Sequence, residues 1–154
     1  MNVDIKMTGT HSIAYVRHTG PYMDCKTAWD ELCAWAMPKG LLTPETLFFG
    51  IGHDDPEQTP EQDLRYDACI TLRETPETEG NVQLGTIPAG QCAVALHVGP
   101  YETLGDSWRE ILKTWLPHSG HQYDCARASF EQYMNDPETT PPQELRTMLF
   151  VPIK

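Results

Sequence analysis

The chain repeats itself, and this constrains its fold more than any other feature. His18-Thr19-Gly20-Pro21-Tyr22 returns 79 positions later as His97-Val98-Gly99-Pro100-Tyr101, and Trp29 falls on Trp108 at the same offset. Asp55-Pro56-Glu57-Gln58-Thr59-Pro60 returns as Asp136-Pro137-Glu138-Thr139-Thr140-Pro141 at an offset of 81, as does Leu64-Arg65 in Leu145-Arg146. A small insertion between the two blocks accounts for the change. Two copies are too few for a solenoid. The pattern therefore predicts one pseudo-symmetric domain over 1–154, with repeats at about 1–73 and 80–154.

Each repeat reads the same way. A strand over 12–18, and again over 92–98, leads into Gly-Pro-Tyr, where proline presets a turn or a first helical position. A helix follows. Ala28, Trp29, Leu32, Cys33 and Ala36 share one face of the first helix. Leu104, Trp108, Ile111, Leu112 and Trp115 share one face of the second, both at helical spacing. Pro38-Lys39-Gly40 stops the first helix, and Pro117 to Gly120 the second. Two strands close each repeat, at about 46–52 and 64–72, then at 128–134 and 145–153. Leu64, Tyr66, Ala68, Ile70 and Leu72 fall on alternate positions, as do Leu145, Thr147, Leu149 and Val151, with one face apolar in each. An acidic Pro/Thr-rich loop joins each pair, as at surface hairpins. The fold class expected is α+β: a pseudo-two-fold duplication of strand-helix-strand-strand modules, with antiparallel sheet and a ligand groove between the halves. Residues 74–80 form the link.

Composition narrows the function. The 22 acidic and 11 basic residues give a formal charge of −11, which argues against direct binding to a nucleic-acid backbone. No apolar run reaches membrane-spanning length, and the first ten residues lack a secretory pattern, so a cytoplasmic protein is expected. Cys25, Cys33, Cys69, Cys92 and Cys125 are odd in number and form no C-x-x-C pair, and Cys33, Cys69 and Cys92 sit in apolar patterns. Free, buried thiols are expected rather than a disulfide framework. His118 and His121 flank a Ser-Gly turn and make no metal motif, so no metal and no cofactor are expected.

The second repeat carries the more specific motifs. They are Gly99-Pro100-Tyr101-Glu102, Trp108, Trp115-Leu116, and Phe130-Glu131-x-Tyr133-x-Asn135-Asp136-Pro137. Pro141-Pro142-x-Glu144-Leu145-Arg146-Thr147 then precedes a strand ending Val151-Pro152-Ile153. In this order and spacing they resemble the gyrase-inhibitor-like domain, over essentially the whole chain. This is also the effector-binding domain of AraC-type and MerR-type regulators. No helix-turn-helix precedes it, so the chain resembles a free-standing member. The resemblance implies a small-molecule site, with lipophilic and often cationic ligands, multidrug binding among them. Other branches of the family imply hydrolysis of strained cyclopropane-containing toxins, or modulation of DNA gyrase. Fold alone does not choose among these.

Differences between the repeats point to the site. At the offset of 81, Glu131 falls on Gly50, Tyr133 on Gly52 and Ser129 on Phe48. Alternation puts Glu131 and Tyr133 on one strand face. If the halves pack about a pseudo-two-fold, glycines opposite a carboxylate and a phenol leave room for a ligand. A mid-strand carboxylate is costly to bury unless partnered, so the plain alternative is a solvated Glu131 or one paired with Arg127 or Arg146. The resemblance favours the ligand-site reading. Ligand-binding residues are then Glu131, Tyr133, Trp108, Phe48, Gly50 and Tyr101. The first function expected is binding of amphipathic, cationic organic molecules. The alternatives are a hydrolase with Glu131 as general base and Tyr133 or Tyr101 as donor, and a gyrase modulator presenting acidic loops at 54–57 and 74–79.

Overall fold

The computed structural model describes residues 1–154. Its strands are β1 (Val3–Thr8), β2 (His11–Thr19), β3 (Phe48–Gly52), β4 (Arg65–Thr71), β5 (Val82–Ile87), β6 (Gly90–Val98), β7 (Phe130–Tyr133) and β8 (Arg146–Pro152). Helix α1 (Lys26–Ala36) lies between β2 and β3, and α2 (Leu104–Arg109) and α3 (Leu116–Ser119) lie between β6 and β7. The chain is α+β with antiparallel pairing throughout.

Two compact units form, and they do not coincide with the sequence repeats. One is Thr10–Pro88, with strand order β3-β4-β2-β5. The other joins Met1–Gly9 to Ala89–Lys154, with order β1-β6-β8-β7. The strand-helix-strand-strand module is thus one strand short in each case. β1 and β5 are equivalent at the offset of 79, and each pairs in the unit built mainly from the other repeat. Val3, Ile5 and Met7 alternate with polar residues, as do Val82 and Leu84, and this was the available signal. Ile5, Met7 and Leu84 stay exposed, as expected of strands paired on one side only.

Pairing register carries the duplication to single residues. Gly50 lies opposite Ala68 and Glu131 opposite Leu149; Gly52 lies opposite Tyr66 and Tyr133 opposite Thr147. His18 lies opposite Tyr66 and His97 opposite Thr147. Each pair maps onto its counterpart at offsets of 79 on β2/β6 and 81 elsewhere. The histidines also have matching jobs: His18 Nε2 lies 2.9 Å from the Pro21 carbonyl and His97 Nε2 3.2 Å from that of Pro100, so both rings brace the Gly-Pro-Tyr turn. Gly20 and Gly99, at positive φ there, donate N–H to Leu64 and Leu145 respectively, both at 2.8 Å.

In the Thr10–Pro88 unit, α1 buries Ala28, Leu32, Trp35 and Ala36 against Ala14, Val16, Ala68 and Ile70. A fully buried aliphatic of this size contributes about 1.5–3 kcal/mol. In the other unit Ile111 packs with Ala93, Ala95, Val151 and Ile153, with Trp108, Leu112 and Trp115 at the margin. Cys69 and Cys92 are buried, whereas Cys25 and Cys33 keep partial exposure and Cys125 is exposed.

The insertion between the repeats is resolved into two single residues. Trp29 and Trp108 are 79 apart, but Trp35 and Trp115 are 80 apart, as are the left-handed glycines Gly40 (φ 68°) and Gly120 (φ 80°) that end the helices. Between those markers the second helix contains a π-turn over Glu110–Trp115, where Leu116 N–H reaches back to the Ile111 carbonyl. A π-turn takes in one residue more than an α-turn. The other added residue lies between Gly120 and β7.

Candidate functional site

Glu131 sits mid-strand on β7 with Tyr133 two residues on, so both face the helix side of their unit. Trp108 comes from α2, just before the π-turn. Trp108 Nε1–H donates to Glu131 Oε2 at 2.9 Å and the Tyr133 hydroxyl to Oε1 at 2.6 Å. Tyr101, from the turn that precedes α2, sets its ring edge-on to Tyr133 at 5.6 Å. The residue retains some accessible surface, but its carboxyl is enclosed by protein.

Neither hydrogen bond to the Glu131 carboxyl comes from an arginine. Glu131 is only partly exposed, and Arg127 is committed elsewhere: Nε to Asp124 at 2.9 Å and Nη2 to the Gln91 and Ile153 carbonyls. That guanidinium lies so close over Gly90 that a Cβ there would collide with it. Both hydrogen-bond donors to Glu131 are neutral. Burial pushes the Glu131 carboxyl above its ordinary value; the Tyr133 and Trp108 hydrogen bonds, and His97 nearby, pull it back only in part.

The first repeat shows what the same frame looks like when filled. Trp29 Nε1–H donates to the Tyr66 hydroxyl at 3.1 Å, where Trp108 donates to Glu131. Phe48 packs on Trp29 with ring centroids 6.2 Å apart, and Tyr66 is buried. In the second repeat Ser129 replaces Phe48 and Thr147 replaces Tyr66, so two rings are lost from the helix-side face, while Glu131 for Gly50 adds a carboxylate and Tyr133 for Gly52 adds one ring. Of the residues expected at the site, Glu131, Tyr133, Trp108 and Tyr101 come together in one unit. Phe48 and Gly50 belong to the other unit, on β3.

Several residues that sequence reasoning passed over form a second polar cluster. Asp67, buried on β4, accepts from Arg17 Nε at 2.8 Å and Nη2 at 3.1 Å, and lies 2.6 Å from His53 Nε2. Their counterparts in the second repeat are Leu96, Met148 and Met134. Asp54, from the acidic loop, is engaged by Arg65 through its backbone N–H at 2.8 Å and through its guanidinium. A concavity of about 200 Å³, lined by Leu41, Thr46, Leu72, Arg73 and Glu74, lies in the Thr10–Pro88 unit and does not include Glu131. No helix is long and apolar enough to cross a membrane.

A family model described as the GyrI-like small molecule binding domain matches residues 1–154. The chain belongs to the GyrI-like family. Among relatives of this GyrI-like domain, the probable transcriptional regulator YgiV of Escherichia coli K12 is 34% identical over 121 residues, covering 77% of this chain and 75% of that one. A DNA gyrase inhibitor of the same organism is 26% identical over 140 residues, covering 88% of this chain and 87% of the relative. Among solved structures, the EcmrR C-terminal domain matches with a TM-score of 0.86 at 20% identity, covering 99% and 97% of the two chains. The GyrI-like domain spans 57% of the longer EcmrR chain in the EcmrR–DNA complex. These likenesses support small-molecule binding in general terms and the fold in detail.

Proposed function

We propose that this GyrI-like domain binds amphipathic organic cations, with Glu131 as counter-ion and Trp108, Tyr133 and Tyr101 as aromatic walls. One observation carries the reading: an enclosed carboxylate whose hydrogen-bond donors are both neutral. Such a group is costly to keep ionised, and a ligand cation supplies the missing charge. Aromatic faces add about 0.5–2 kcal/mol each, depending on desolvation. Benzyltrimethylammonium and its carbon isostere neopentylbenzene share shape and differ in charge. At pH 7 the cation should bind at least about tenfold more tightly, a difference of about 1.4 kcal/mol. Equal affinities measured by calorimetry would defeat the charge argument.

A second reading draws on the same raised carboxyl. Glu131 with the Tyr133 hydroxyl upon it suits general acid–base chemistry, as in hydrolysis of a strained cyclopropane. Turnover of such a substrate followed by mass spectrometry separates catalysis from binding.

A further inference from the structure

Thr147 is fully buried, and its hydroxyl has no hydrogen-bond partner. A buried hydroxyl left unpaired is a cost that native proteins seldom carry without use. Its place in the sheet suggests the use. On β8 it lies directly opposite Tyr133 on one side and His97 on the other, and one step diagonally from Glu131. Residues opposite one another share a face, with Cβ atoms about 4.5–5.5 Å apart, and diagonal neighbours stand about 7–8 Å apart, within reach of a long side chain. Other polar groups of this row have partners: His97 Nδ1 lies 2.7 Å from Ser107 Oγ, Nε2 is held by the turn, and the Tyr133 hydroxyl is on Glu131. In the first repeat the same row is complete, because Tyr66 stands at the position of Thr147 and its hydroxyl accepts from Trp29.

We infer that Thr147 is a specificity-determining residue of the Glu131 site, and that the site takes an ammonium ion carrying at least two N–H donors, one for the Glu131 carboxylate and one for Thr147 Oγ1. The inference rests on the proposed cation-binding role and narrows its ligand class to primary and secondary amines. A quaternary head cannot use Thr147, and a tertiary ammonium has a single N–H, which Glu131 takes. Ligand binding would thus satisfy the orphaned hydroxyl.

Benzylammonium, with three N–H groups, and benzyldimethylammonium, with one, test this by calorimetry on the wild type, Thr147→Val and Thr147→Ser. Thr147→Val keeps the branched shape and removes the hydroxyl. It should cost benzylammonium about three- to tenfold in affinity and leave benzyldimethylammonium unchanged, while thermal stability without ligand holds or rises. Thr147→Ser should retain the wild-type preference. If Thr147→Val weakens both amines alike, or neither, while the wild type binds them, the Thr147 assignment is overturned and the Glu131 reading stands. If the wild type binds neither amine, the Glu131 reading falls and takes this inference with it.

Discussion

Arg17→Met is expected to destabilise the protein by about 3 kcal/mol in urea unfolding, because it strips the carboxylate of Asp67 of its permanent charge partner in a buried site. Asp67 keeps only 5% of its side chain exposed, and His53 is its remaining neighbour, at 2.6 Å. The cost of breaking one member of a buried pair differs from the cost of replacing the whole set with apolar groups. The second repeat supplies that replacement: Leu96, Met134 and Met148 occupy the equivalent positions. The triple variant Arg17→Leu, His53→Met, Asp67→Met should therefore recover most of the loss. A triple variant as unstable as Arg17→Met would contradict the assignment of the cost to an unpaired buried charge. The pH dependence has a fixed sign. Burial pushes Asp67 up, but the hydrogen bonds from His53 and Arg17 outweigh it and hold the carboxyl below its ordinary value. Its contribution is present above the unfolded-state value and is lost as pH falls through the folded one.

Glu131→Gln should move stability and binding in opposite directions. The Glu131 carboxyl is raised, so its sign is the reverse of that for Asp67. Stability from this group is fully present below the unfolded-state value and declines as pH rises through the folded one. Ionising this half-buried carboxyl as pH rises is a net cost, and glutamine removes it while keeping an oxygen for Trp108 N–H. The variant should melt higher than the wild type at pH 7, with the gap closing in acid. The same variant should lose the preference for benzyltrimethylammonium over neopentylbenzene, an effect of about tenfold or more. A site kept at a cost to stability, and needed for ligand, is the usual trade-off of functional positions. Loss of stability together with loss of binding would instead mark Glu131 as a structural residue.

Much of this was legible in the sequence, for physical reasons that differ by element. The paired helices and the strands carrying Gly-Pro-Tyr were visible because tight turns and apolar periodicity are local. Comparing the repeats singled out Glu131 and Tyr133, since backbone demands are shared at equivalent positions and side-chain differences stand out against them. The strands β1 and β5 were passed over because they are edge strands whose unit is a long-range matter; Ile5, Met7 and Leu84 stay exposed, although Val82 and Ile87 are buried. Trp35 lies three positions after Leu32 and so shares its face, but the apolar stripe is equally well drawn through Trp29 and Cys33, of which Cys33 keeps partial exposure. The Arg17–His53–Asp67 cluster escaped because residues from β2, from β4 and from the position after β3 meet only in the folded sheet. Thr147 was read as one member of an alternating apolar face; that its hydroxyl lacks a partner is visible only in coordinates.

The central claim is that Glu131 is the counter-ion of a bound cation, and the titration of its own carboxyl tests this most directly. Carbon NMR of the Glu131 side chain, followed against pH with and without saturating benzyltrimethylammonium, reports on that one group. The account predicts a midpoint above the ordinary glutamate value in the free protein, and a downward move when the cation is bound, because the ligand charge favours the ionised form. A midpoint that stays in place while the ligand is bound would contradict it.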